Sequence, residues 1–199
     1  MTEEKYPAEH ISKLDAARRQ LRTAIRLFFE EGDSISIYTL AAASHEIFRA
    51  LAKFKGGASM IKDSDFIKLE HQREYEDFMN QPQNFFKHGA RDPNKTLAFK
   101  PQSTPFWILD CVMMEAKLVD RHSATRESIV FPHWFMAEYP HLLKAGATDP
   151  IPKDIRQLIK STGSSKGLFR LVLKKPERYS LVDQTRGQTH RIRIRRTDP

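Results

Sequence analysis

Leu14, Ala17, Leu21, Ala24, Ile25 and Phe28 recur at the three-and-four spacing of an α-helix, and Gly32 stands where the pattern stops. An apolar stripe this wide must be covered, so a chain that begins this way is committed to packing the helix against other elements. The spacing predicts an amphipathic helix from about Ser12 to Glu31, closed by Gly32. A second helix is expected from a cap at Asp33 or Ser34 to about Lys55, with Gly56-Gly57 as its stop. It carries two apolar stripes, Tyr38, Ala41, Ala42, Phe48 and Ala52 beside Ile37, Leu40, Ile47, Leu51 and Phe54. Only the sector of Thr39, Glu46, Arg49 and Lys53 stays polar, which places this helix centrally in a bundle.

A third helix is expected from Asp63 or Ser64 to Asn80, because Pro82 cannot continue it unkinked. Pro82 then opens a short helix over Gln83 to His88, ended by Gly89, and residues 95 to 102 read as a loop. Thr104 and Pro105 form a cap and first-position pair for a helix reaching about Arg121. Ile129 to Tyr139 brings enough aromatic surface for a fifth helix, and Pro152 to Lys160 fits a short sixth. The expected fold is all-α, an up-and-down helical bundle over residues 1 to 160 with extra short helices, followed by a basic tail at 161 to 199.

The charge supports that division. The whole chain carries 33 Lys+Arg and 25 Asp+Glu, net +8. Residues 153 to 199 hold 13 of the basic and 4 of the acidic side chains, net +9, which leaves the preceding part at −1. Such a tail suits phosphate-rich or acidic partners, and equally a solubilising role. Ser161 to Ser165 is linker chemistry, and His190 to Arg195 alternates with the period of a strand. A basic strand pair and a disordered tail both fit, and whether Leu168 to Leu173 supplies the partner strand stays open.

Other classes find less support. The N-terminus lacks the basic-then-apolar layout of a signal peptide and no run spans a bilayer, so a cytoplasmic protein with no membrane contact is expected. Cys111, the single cysteine, lies in an apolar run and reads as a buried thiol. His71, His122, His133 and His141 show no metal-ligand spacing, and neither a metal nor another cofactor is expected. Arg18, Arg22 and Arg26 form a row on the first helix that reads as a solvated face rather than a nucleic-acid track. His45, inside an apolar stripe, reads as a satisfied core histidine rather than a catalyst. Asn84 and His88, four apart, point the same way.

The second-helix segment from Ser36 to Ile47, followed by Asn84-Phe85-Phe86-Lys87-His88, resembles the HEPN superfamily of helical bundles over roughly residues 12 to 122. Many members of that family are RNA-cleaving toxins or defence components, with a signature of Arg, often a polar residue, and then His after four to six positions. Others are inactive partners or binding modules. Asn84 and His88 match the polar residue and the His, whereas Gln83 stands where the Arg would be. The resemblance implies a metal-independent ribonuclease, working as a homodimer, with His88 as acid or base, Asn84 orienting it or the phosphate, and Lys87 or Arg91 supplying the missing cation. It leaves open a second reading: a silent module that holds RNA, a cognate antitoxin or another protein through Arg191, Arg193, Arg195 and Arg196, with Asn84 and His88 only tying helix ends together. Arg126 and His133 repeat the bare spacing, but Pro132 lies between them and the segment falls outside the matching region. Arg186 to Arg193 is similar to a short stretch in one class of RNA pseudouridine synthases, without the catalytic-aspartate motif beside it.

Overall fold

In the computed structural model, the described residues are 8–90, 93–144, 165–174, 179–186 and 189–196. The Ser12 hydroxyl accepts from the Asp15 N–H at 3.0 Å and starts α1, Lys13–Phe29. The Asp33 carboxylate does the same for Ser36, at 2.7 Å, and starts α2, Ser34–Phe54. Both helices follow their expected bounds, because each has a side-chain cap at one end and a glycine just past the other. Their facing stripes pack together, and α4, Thr104–Leu118, lies against α2. Thr104 is itself the first helical residue and Ser103 flanks it without a side-chain cap bond, one position away from the expected arrangement. Thr125 accepts from Ser128 and starts α5, Arg126–Glu138, three residues ahead of its expected start and with Pro132 inside it.

The expected break at Pro82 is absent. A three-residue 3-10 turn, Leu69–His71, leads into α3, Gln72–Lys87, which runs through Pro82 without interruption. Proline deletes one rung of the ladder, the bond to the carbonyl of Phe78, but tertiary contacts on both sides hold the helix. Before it, the Tyr75 hydroxyl donates to the Ile61 carbonyl at 2.6 Å and Glu76 accepts from Arg49 at 2.5 Å. After it, Phe86 packs edge-on against Tyr38 and Phe99.

The helix expected at 152 to 160 lies outside the described residues, as does the expected boundary at 160. Beyond it, Ser165–Lys174 forms α6, whose Leu168, Phe169 and Val172 are buried in the common core. Phe169 stacks on Phe29 at 6.1 Å and 17°. Arg126 donates through Nε and a second guanidinium nitrogen to the Val172 carbonyl at 3.0 and 2.8 Å, and Arg170 Nε donates to the Phe29 carbonyl at 2.6 Å. Leu168 to Leu173 is therefore helical, and the partner of the alternating segment is Tyr179–Arg186. This strand, β1, pairs antiparallel with β2, Thr189–Arg196, in a register that sets Gln184 opposite Arg191 and Ser180 opposite Arg195. The molecule is an all-α bundle with this hairpin appended.

Arg22 and Arg26 are exposed, as the solvated-face reading expects, whereas Arg18 is partly covered. Arg18 Nε donates to Glu115 at 2.8 Å, and Glu115, 2 % exposed, also accepts from the Ser128 hydroxyl at 2.5 Å. Arg26 Nε pairs with the buried Glu127 at 2.6 Å. These pairs tie α1 to α4 and α5, so neither guanidinium is free to follow a nucleic-acid backbone.

Phe29 joins the pieces, with ring contacts to Phe28, Phe131, Trp134 and Phe169. Phe29→Ala is expected to cost about 3–5 kcal/mol, the range for a large aromatic removed from a core that cannot collapse. Urea unfolding would show it as a lower midpoint at unchanged slope. A loss below about 1 kcal/mol would mean that α6 does not close this core.

Candidate functional site

Because α3 is unbroken, Asp77, Gln81, Asn84 and His88 follow one another at spacings of four, three and four along a single face. They line an open cavity of about 320 Å³ together with Phe85 and with Lys95 and Leu97 from the loop that follows. His88 is the residue that ends α3, and its N–H donates to the Asn84 carbonyl at 3.1 Å. One wall therefore offers an imidazole, a carboxylate and two amides, and the other an ammonium group.

Asn84 and His88, paired from the sequence, meet in this cavity. Lys87 is exposed on α3 and is not among the cavity's lining residues. Arg91 lies outside the described residues. Arg191, Arg193, Arg195 and Arg196 pair along β2 opposite Gln184, Val182, Ser180 and Tyr179, with Ile192 and Ile194 between the first three. Asp77 and Lys95 carry no sequence signal that joins them to this pair. A helix stopped at Pro82 separates Asp77 from Asn84, and a lysine in a loop leaves no periodic signal.

Gln83 sits on the other side of α3. It is 7 % exposed, its Oε1 is buried without a partner, and it shares a face with Met79 and Phe86, both packed on the core. The position that holds Arg in the HEPN pattern thus faces the interior, and among the described residues Lys95 is the cation that lines the cavity.

A second polar cluster lies within the bundle. His45 is fully buried, and its Nε2 contacts Asp110 Oδ2 at 2.8 Å and Ser59 Oγ at 3.1 Å. The Ser59 hydroxyl also donates to Asp110 Oδ2 at 2.6 Å, and Asp110 accepts from the Met60 and Ile61 N–H groups at 3.0 and 3.3 Å. Burial opposes the charge on Asp110, but the hydrogen bonds from His45, Ser59 and Met60 outweigh it and hold the carboxyl below its ordinary 3.8. The three residue types of a nucleophilic triad are present, but the geometry is wrong for one. Serine and aspartate meet the same ring nitrogen, whereas a triad needs them on opposite nitrogens. The cluster is a latch that fastens residues 59–61 between α2 and α4.

Nearby, Lys62 is buried, pairs with Glu46 and Asn80, and lies 5.4 Å over the Trp107 ring. Arg49 binds Asp63 and Glu76. Burial raises the Asp63 carboxyl, yet Arg49 and the Ser59 N–H together bring it far below the usual carboxylate range. Cys111 is buried, and burial pushes its thiol well up.

Among the described residues, no group of three or more His, Cys, Asp or Glu is placed to hold a metal ion. None of the described helices is long and apolar enough to cross a membrane. No protein-family model, curated protein or solved structure matches the chain, so its likeness to the HEPN bundles rests on the residues quoted from its own sequence.

Proposed function

We propose that the chain is an RNA-binding protein of the HEPN type that cleaves RNA without a metal at the α3 cavity. One observation carries this reading: His88, Asp77, Asn84 and Lys95 line one open cavity. Cleavage at a ribose 2′-OH needs a base for that proton, an acid for the departing 5′-oxygen and a cation for the charge that builds on phosphate. His88 is the proton-transferring side chain, with water in the open cavity as the other proton donor or acceptor, Lys95 faces the phosphate, and Asn84 orients it. The 2′-oxygen attacks phosphorus as its proton passes to the base. The bond to the 5′-oxygen breaks as the acid protonates it, leaving a 2′,3′-cyclic phosphate and a 5′-hydroxyl. Purified protein incubated with mixed RNA in EDTA tests this, with product ends read by their resistance to phosphatase and their availability to a 5′-kinase.

Gln83 favours a second reading, a silent module of the same fold. Lys lacks the bidentate fork that Arg offers a phosphate, and the family's own Arg position is turned inward here. In that case the basic hairpin holds RNA or a partner protein. A homodimer, with two cavities at a shared cleft, belongs to the ribonuclease reading, and light scattering in solution measures it.

Both readings give the hairpin the same task. Removing residues 175–199 keeps α6 in the core and deletes 7 Lys+Arg against 3 Asp+Glu. If about four of these cations meet phosphates, the slope of log affinity against log salt should flatten by about 3 for single-stranded RNA. An unchanged slope would remove the hairpin from the contact surface.

A further inference from the structure

A second cleft, of about 300 Å³, adjoins the α3 cavity and shares Gln81 and Leu97 with it. Its walls are of a different kind. Tyr38, Phe99 and Trp107 are set edge to face at 5.2 and 5.7 Å, and Phe78 stands at the opening, 69 % exposed. The Tyr38 hydroxyl is buried and has no hydrogen-bond partner in the protein, and burial pushes it up to about 12, so it remains a donor. Lys100 and Ser103 complete the rim.

From this arrangement we infer that the aromatic cleft is a nucleobase subsite, which seats the base of the nucleotide whose phosphate lies against Lys95 and His88. The inference rests on the ribonuclease reading for the neighbouring cavity and names the part of the substrate that reading leaves unassigned. A single-stranded nucleotide presents a flat aromatic group beside a phosphate, and these two clefts pair an aromatic wall with a cationic one. Proteins that read unpaired RNA stack its bases on exposed aromatic rings and hold the edges by hydrogen bonds. Here Phe78 is the stacking ring, and the Tyr38 hydroxyl and the Gln81 amide are the groups for an edge. Gln81, lining both clefts, stands where base and sugar-phosphate join. An aliphatic ligand would use the apolar walls and leave the Tyr38 hydroxyl unsatisfied.

The test uses the full chain and the four free nucleosides, which carry no phosphate and so report on this cleft alone. Trp107 lines the cleft, whereas the other tryptophan, Trp134, is buried among Phe28, Phe131 and Phe135. Tryptophan fluorescence during titration therefore reads occupancy, and Trp107→Phe identifies the signal. At least one nucleoside should bind, and Phe78→Ala should weaken it about tenfold, with inorganic phosphate affinity unchanged. Because Phe78 is exposed, its loss leaves the core intact. Phe78-dependent nucleoside binding without any RNA cleavage would support the subsite and overturn the ribonuclease reading. Cleavage without nucleoside binding, or binding indifferent to Phe78, would overturn the subsite and leave the ribonuclease reading standing.

Discussion

His88→Ala should lower the rate of RNA cleavage in EDTA by about 10²–10⁴-fold, the range for losing one proton-transferring side chain. The imidazole is exposed at the end of α3, so the variant should keep the helical circular dichroism and unfolding midpoint of the parent. Asp77→Asn should change the rate far less, because Asp77 stands eleven residues, about 16 Å of helix rise, from His88. Lys95→Ala should reduce both binding and rate, whereas Lys95→Arg should retain much of each, since the cavity is open to solvent and asks for a cation rather than one geometry. Full activity in His88→Ala would take that residue out of the mechanism. Absence of cleavage by the parent protein as well would leave the RNA-binding module as the function, with Gln83 as its reason.

The bundle's first half is legible in the sequence because its signals are local. Ser12, Gly32, Asp33 and Gly56 mark helix ends within a residue or two, and the stripes between them name the core. Signals that depend on distant partners are not legible. Pro82 is a stop by local chemistry, and only Tyr75, Glu76 and Phe86, each held from another element, explain why α3 passes through it. That one difference decides the candidate site, because it adds Asp77 and Gln81 to the face of Asn84 and His88. Likewise α6 looks like the start of a basic tail until Phe169 is seen against Phe29. His45 reads correctly as a core histidine, whereas its partners Ser59 and Asp110 lie 14 and 65 positions away and carry no motif that joins them.

Those partners are the basis of an expected effect on stability as large as that of Phe29→Ala. Asp110→Ala removes the acceptor shared by His45, Ser59, Met60 and Ile61, and leaves their donors buried around a small void. Breaking a buried, charged hydrogen-bond network in this way costs about 3–5 kcal/mol, against about 1 kcal/mol for a neutral hydrogen bond. The cost should also depend on pH with a definite sign. The folded Asp110 carboxyl titrates below its ordinary 3.8, so its contribution is fully present above about pH 4 and is lost as pH falls through the lower, folded value. Urea midpoints of parent and variant should therefore differ most near neutral pH and converge in acid. Asp63 is lowered in the same sense, chiefly by Arg49 against the opposing effect of burial, and remains in the variant, so some acid sensitivity should persist there. Equal pH dependence in the two proteins would show that Asp110 is neutral in the fold, and that the latch is built from ordinary hydrogen bonds. In Asp110→Ala the segment over residues 59–61 loses its anchor, and Tyr75, which donates to the Ile61 carbonyl, is the link through which α3 would feel it. A latch that positions α3 predicts weaker RNA cleavage in this variant even at temperatures where it remains folded.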